Sequence, residues 1–117
     1  MNNFKELKVW QKAINLIVEV YKLTNSFPKS ETYGISSQIQ RASVSISCNI
    51  SEGCGKSSEK DFNRFLEMAL GSANEVENLL IICEKLNYIN QQIASVKSLQ
   101  IQEIRRMIIG LTKTLNK

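Results

Sequence analysis

Gln38, Arg41, Ser45, Asn49 and Glu52 follow one another three or four residues apart. On an α-helix that spacing brings all five to one face. A guanidinium among amides and a carboxylate is the strongest candidate for a binding site in the chain. The simpler account is a satisfied polar seam, because a partly buried arginine needs a carboxylate and breaking such a pair is costly. Pairing this segment antiparallel with the next helix about Lys56 places Arg41 level with Gly71, within a turn of Glu67 and Glu75. We therefore read Gln38, Arg41, Asn49, Glu52, Gly53, Gly71 and Glu75 as a structural or subunit-interface seam. Asn49 and Glu52, near the helix end, are expected to receive backbone or turn amides.

Catalytic chemistry finds little to work with. The 117 residues contain no histidine, which removes the commonest general base and metal ligand together. Glu67, Glu75 and Glu77 sit at helical spacings typical of a solvated or interface face, and a catalytic serine would have no base near it in sequence. Gly53-Cys-Gly-Lys-Ser57 lacks the four-residue gap of a phosphate loop and follows a helix, where that loop follows a strand. The three cysteines form no CxxC pair, so no zinc spacing exists. Cys48 and Cys83 fall in apolar surroundings and read as buried thiols; Cys54, in a turn, reads as exposed. No catalytic residue, metal or cofactor is expected.

The elements that position these residues are helical. One proline, five glycines and few aromatics point to an all-α domain of a single core. A first helix is predicted from Phe4 to Asn25 or Ser26, ended by Phe27-Pro28. It carries two apolar rows: Leu7, Trp10, Ile14, Ile17 and Tyr21, then Val9, Ala13, Leu16, Val20 and Leu23. These lie roughly 110° apart on the helical wheel, more than one neighbour can cover.

The second helix has Ile35, Ile39, Ala42, Ile46 and Ile50 on its inner face and serines on its flanks. Gly53 stands where a left-handed C-terminal stop belongs, and Ser58 to Asp61 resembles a capping box. The third helix, Glu59 to Asn87, has a core row of Phe62, Phe65, Leu66, Ala69, Ala73, Val76, Leu80 and Cys83. Gly71 lies off that row and suggests a close backbone approach, while Leu79 to Cys83 is apolar all round. The fourth, Ile93 to Leu115, turns Ile93, Val96, Ile104, Met107, Ile108, Leu111 and Leu115 inward. The spacing predicts an all-α, up-down-up-down four-helix bundle with left-handed packing over residues 1–117. A three-helix domain with a swapped helix is the alternative.

The motif QxxRAxxSIxxNIxEGxGK, here Gln38 through Lys56, resembles the 23S rRNA-intervening-sequence (S23) family. Leu7 to Ala13, Phe27-Pro28, Phe62 to Glu77 and Leu86 to Ile89 extend the likeness. It implies a four-helix bundle assembling into a ring, commonly a pentamer. Some members are encoded within insertions in large-subunit rRNA genes. A related accessory protein of diversity-generating retroelements is a basic pentameric barrel that partners a reverse transcriptase and binds nucleic acid. The family has no established catalytic residues. Ser51 and Lys56 stand here where alanine and arginine are frequent.

Net charge is +4, a mild basic excess. Lys5, Lys8, Lys12, Lys22, Arg105, Arg106, Lys113 and Lys117 are the nucleic-acid candidates. On one copy they are an ordinary surface; in a ring they repeat, and weak phosphate contacts add. No aromatic stacking platform accompanies them, so binding to RNA or DNA should be poorly sequence-specific. A protein-binding adaptor, for example for a polymerase, is the alternative function. No apolar run approaches the length of a membrane span and no signal peptide is evident, so a cytoplasmic protein is expected.

Overall fold

The computed structural model describes residues 3–115. Four helices account for most of them: α1 (Lys8–Thr24), α2 (Ile35–Cys54), α3 (Glu59–Lys85) and α4 (Gln91–Leu115). Single 3-10 turns at Phe4–Glu6 and Lys29–Glu31 precede α1 and α2. The first helix therefore does not begin at Phe4. Asn3 caps the short turn by accepting from the Lys5 amide at 3.1 Å, and Leu7 is extended. Trp10 packs edge-on against Phe4, with ring centroids 5.1 Å apart.

Consecutive helices run antiparallel around a square. Gln40 of α2 donates to Thr24 of α1 at 2.9 Å, Ser72 of α3 donates to Ser45 of α2 at 2.9 Å, and Ser98 of α4 donates to Glu77 of α3 at 2.7 Å. Lys97 of α4 reaches back to Glu19 of α1. Among neighbouring helices the α2–α3 seam is the most extensive and α1–α4 the slightest, while the backbones of the diagonal pairs stay apart. That is the up-down-up-down bundle, with principal extents of 45 × 24 × 20 Å. Its centre is filled by Leu16, Val20, Ile39, Ile46, Phe62 and Leu66 together with Ile101, Ile104 and Ile108 of α4. No described helix is long and apolar enough to cross a membrane.

Several local expectations are corrected. Gly53 lies inside α2, and no glycine among the described residues has a positive φ. Its reason is packing: a Cβ there would meet Phe62 Cδ1 at 2.9 Å and Phe65 Cβ at 3.0 Å. The left-handed stop occurs after α3, where Asn87 has φ 62° and Tyr88 donates back to the Cys83 carbonyl at 2.9 Å. Such a turn satisfies carbonyls that the helix end leaves orphaned. Ser58 does cap α3, accepting from the Asp61 amide at 3.1 Å.

On α4 Ile93, Ile104, Met107, Ile108, Leu111 and Leu115 lie in the core or pack against it as expected, and the exception in that row is Val96. Ile101 is fully buried whereas Val96 is 49% exposed. Phe65 is only half-buried, with Lys56 5.0 Å and Arg64 5.3 Å from its ring centroid. Of Leu79 to Cys83, Ile81 and Ile82 face outward. Two cysteines exchange roles: Cys48 is exposed and Cys54 buried, with Cys83 buried as expected. Cys48 stands two positions from both Ile46 and Ile50, about 200° around the helix from each, so the buried isoleucine row itself turns it outward. Burial raises the Cys54 thiol pKa and pushes that of Cys83 up to about 11.

Candidate functional site

The helical register of α2 brings Gln38, Arg41 and Ser45 to its outer border with α3, as their spacing dictates. With Ala42 and Glu75 they line one open depression of roughly 450 Å³. The motif row is therefore at the surface. Arg41, expected to be buried and paired, is exposed and makes no ion pair among the described residues. Glu67, Glu75 and Glu52 are likewise exposed and unpaired there. The physical reason is the register of α3 on α2: the Ser72 hydroxyl takes Ser45 as partner, which puts Arg41 about level with Val76 and not with Gly71, and leaves Glu75 on the rim.

Asn49 is buried, but its amide donates to the Ser45 carbonyl at 2.9 Å and the Ser45 hydroxyl at 3.1 Å. It thus bonds within its own helix and receives no turn amide, correcting the sequence expectation; Glu52 accepts none through its side chain either. Gly71 is exposed, with nothing within 4 Å of where a Cβ would stand. The close approach expected there is not made within this chain.

The basic candidates separate into two groups. Lys12 is engaged by Glu103 at 3.1 Å across the α1–α4 seam. Arg105 donates to Glu77 at 2.5 Å and to Asn74 at 3.1 Å. These two are structural cations. Lys5, Lys8, Lys22, Arg106 and Lys113 are exposed and make no ion pair among the described residues. Lys117 lies outside the described residues. Lys8 and Lys22 sit fourteen positions apart on α1, about 21 Å at 1.5 Å per residue, so a single copy presents scattered charges and no cleft.

Besides Lys12–Glu103, two more interhelical ion pairs escaped the sequence reading. Glu19 accepts from Lys97 and, at 3.0 Å, from Gln100. The Lys97 hydrogen bond, opposed by desolvation, holds the Glu19 carboxyl below the ordinary carboxylate range. Hydrogen bonds from Arg105 and then Ser98 do the same for Glu77. Neither pair shares a helix, so no i, i+4 pattern announces it. A groove of roughly 410 Å³ between α3 and α4 was missed too; Ile81 at 52% exposed and Leu99 at 65% stand on its walls. Among the described residues no three potential metal ligands cluster.

Residues 5–110 match the family described as 23S rRNA-intervening sequence protein. A crystal structure of a protein of unknown function from the S23 ribosomal protein family of Bacteroides thetaiotaomicron superposes with a TM-score of 0.80. It is 29% identical, and the alignment covers 90% of this chain and 98% of that one. No match is found among curated proteins. The motif at Gln38 through Lys56, the four antiparallel helices and a family match over most of the chain lead to one conclusion: the chain belongs to the 23S rRNA-intervening sequence protein family.

Proposed function

We propose that this bundle is a non-enzymatic subunit of a homo-oligomeric ring, five copies favoured, that associates with nucleic acid or a nucleoprotein through a repeated basic surface. The observation that carries the reading is the group of exposed cations without an ion pair on α1 and α4, represented by Lys8, Lys22, Arg106 and Lys113. Each contact is weak alone, and repetition around a ring makes the sum useful. The half-exposed apolar residues of α1 and α3 supply a reason to assemble, since monomers rarely expose large contiguous apolar patches.

Binding of a labelled RNA or DNA duplex, followed from 50 to 200 mM salt, tests the reading. A steep fall in affinity with salt is expected, with a shallower slope for the chain carrying Lys8→Gln and Lys22→Gln. No binding at the lowest salt by an intact oligomer would overturn it. The second reading is a protein-binding adaptor, favoured by the α3–α4 groove with Ile81 and Leu99 on its walls. Purification with one protein partner and no nucleic acid would select that reading.

A further inference from the structure

Two faces of the bundle adjoin along α2, and each is incomplete. On the α1–α2 side, Ile14, Val18 and Tyr21 form a ridge at three- and four-residue spacing. Val18 is 48% and Tyr21 47% exposed, and no charged side chain belongs to this row. On the α2–α3 side lie exposed Met68, the bare backbone of Gly71, and the depression holding Arg41 and Glu75. A nucleic acid would find no cation on the ridge. Arg41 offers only donors and Glu75 only acceptors, and neither has a charged partner in its own chain. A phenol hydroxyl, which both donates and accepts, complements the two.

The hydrogen bonds Gln40–Thr24 and Ser72–Ser45 fix the antiparallel registers. Through them Val18 stands level with Gly71, Ile14 within about one residue of Met68, and Tyr21 within about one residue of Glu75. Rotation about an axis parallel to the bundle preserves these levels from one copy to the next. The two faces meet at one corner of a square bundle, about 90° apart, an angle that lets head-to-tail contacts close into a ring of a few copies.

We propose that the α1 ridge of one copy seats on the α2–α3 face of the next. Val18 lies over Gly71, Ile14 against Met68, and the Tyr21 hydroxyl enters the depression between Arg41 and Glu75. The glycine admits the ridge because no Cβ stands in its way. This contact rests on the self-association proposed above and names the surfaces that make it.

The test uses the full chain with Gly71→Leu. In one copy the position is open and helical, so the thermal melt at high dilution should not fall, while the mass from light scattering should drop to 13.3 kDa. An unchanged oligomer would overturn the proposal while leaving self-association standing. A monomeric parent chain would overturn both. Should the variant fail to fold, chains with Cys48→Ser replace it, one carrying Ile14→Cys and the other Met68→Cys. Oxidative cross-linking is expected in the mixture and in neither chain alone. Cross-linking of the Ile14→Cys chain with itself, or none in the mixture of an assembled protein, would overturn the contact.

Discussion

Gly53 and Gly71 border the same helix pair and have opposite reasons to be glycine. Gly53 is buried at the closed end of the α2–α3 seam, where Phe62 and Phe65 occupy the space a Cβ would need. Gly71 lies on the outer side of α3 with open space above it. The chain's own fold requires the first and is indifferent to the second. A residue that lowers helix propensity by about 1 kcal/mol without an internal reason directs attention to what lies outside the chain. Arg41 and Glu75, unpaired beside it, point the same way.

The largest effect should come from the closed end. Gly53→Ala is expected to destabilise the bundle by about 1–3 kcal/mol, because Phe62 and the Phe65 backbone must move to admit a methyl group. Urea melts of the variant would check this, and an unchanged midpoint would mean that the closed end gives way easily. Next comes the ion pair that ties α3 to α4. The folded-state pKa of Glu77 lies below its ordinary value, chiefly through Arg105. Its contribution is therefore complete above the ordinary carboxylate range and is lost as pH falls through the folded pKa. Glu77→Gln should lower stability at neutral pH and flatten that acid limb, as read from thermal melts between pH 7 and 3.

The open region should respond in the opposite sense. At a dilution where copies are separate, Gly71→Ala should stabilise the helix by about 0.5–1 kcal/mol. Calorimetry checks this, and a loss of stability in its place would put a neighbour over Gly71 within the chain. The smallest effect is Arg41→Ala, expected within about 0.5 kcal/mol for the separate bundle. A buried, paired arginine would have cost about 3–5 kcal/mol, so denaturant melts distinguish the surface position from the sequence expectation.

The fold was legible because its signals are redundant. The rows Val9–Ala13–Leu16–Val20 and Ile39–Ala42–Ile46–Ile50 are both buried as their spacing dictates. Ser58 caps α3, and the first helix stops at Thr24, ahead of Phe27-Pro28. The site was legible only as a row of residues. Spacing put Gln38, Arg41 and Ser45 on one face beside the isoleucine row, but whether that border is covered depends on how α3 sits against it, which no local pattern of α2 shows. Cys54 was read as exposed because the helix was expected to stop at Gly53, whereas it runs on through Cys54 and keeps the thiol buried. On α4 the expected row holds except at Val96, and Ile101, five positions on and on another face, was missed because the polar, weakly periodic start of the helix leaves the row's beginning open. Pairs such as Glu19–Lys97 are set by tertiary contact alone.

The central claim is that this bundle leaves its open faces for other copies of itself. Light scattering behind a sizing column, on the unmodified chain at micromolar concentration, tests that most directly. The account predicts a mass that is a whole multiple of 13.3 kDa, with five copies favoured. A single species at 13.3 kDa would contradict it and return Gly71, Arg41 and the exposed α1 ridge to an ordinary solvated surface.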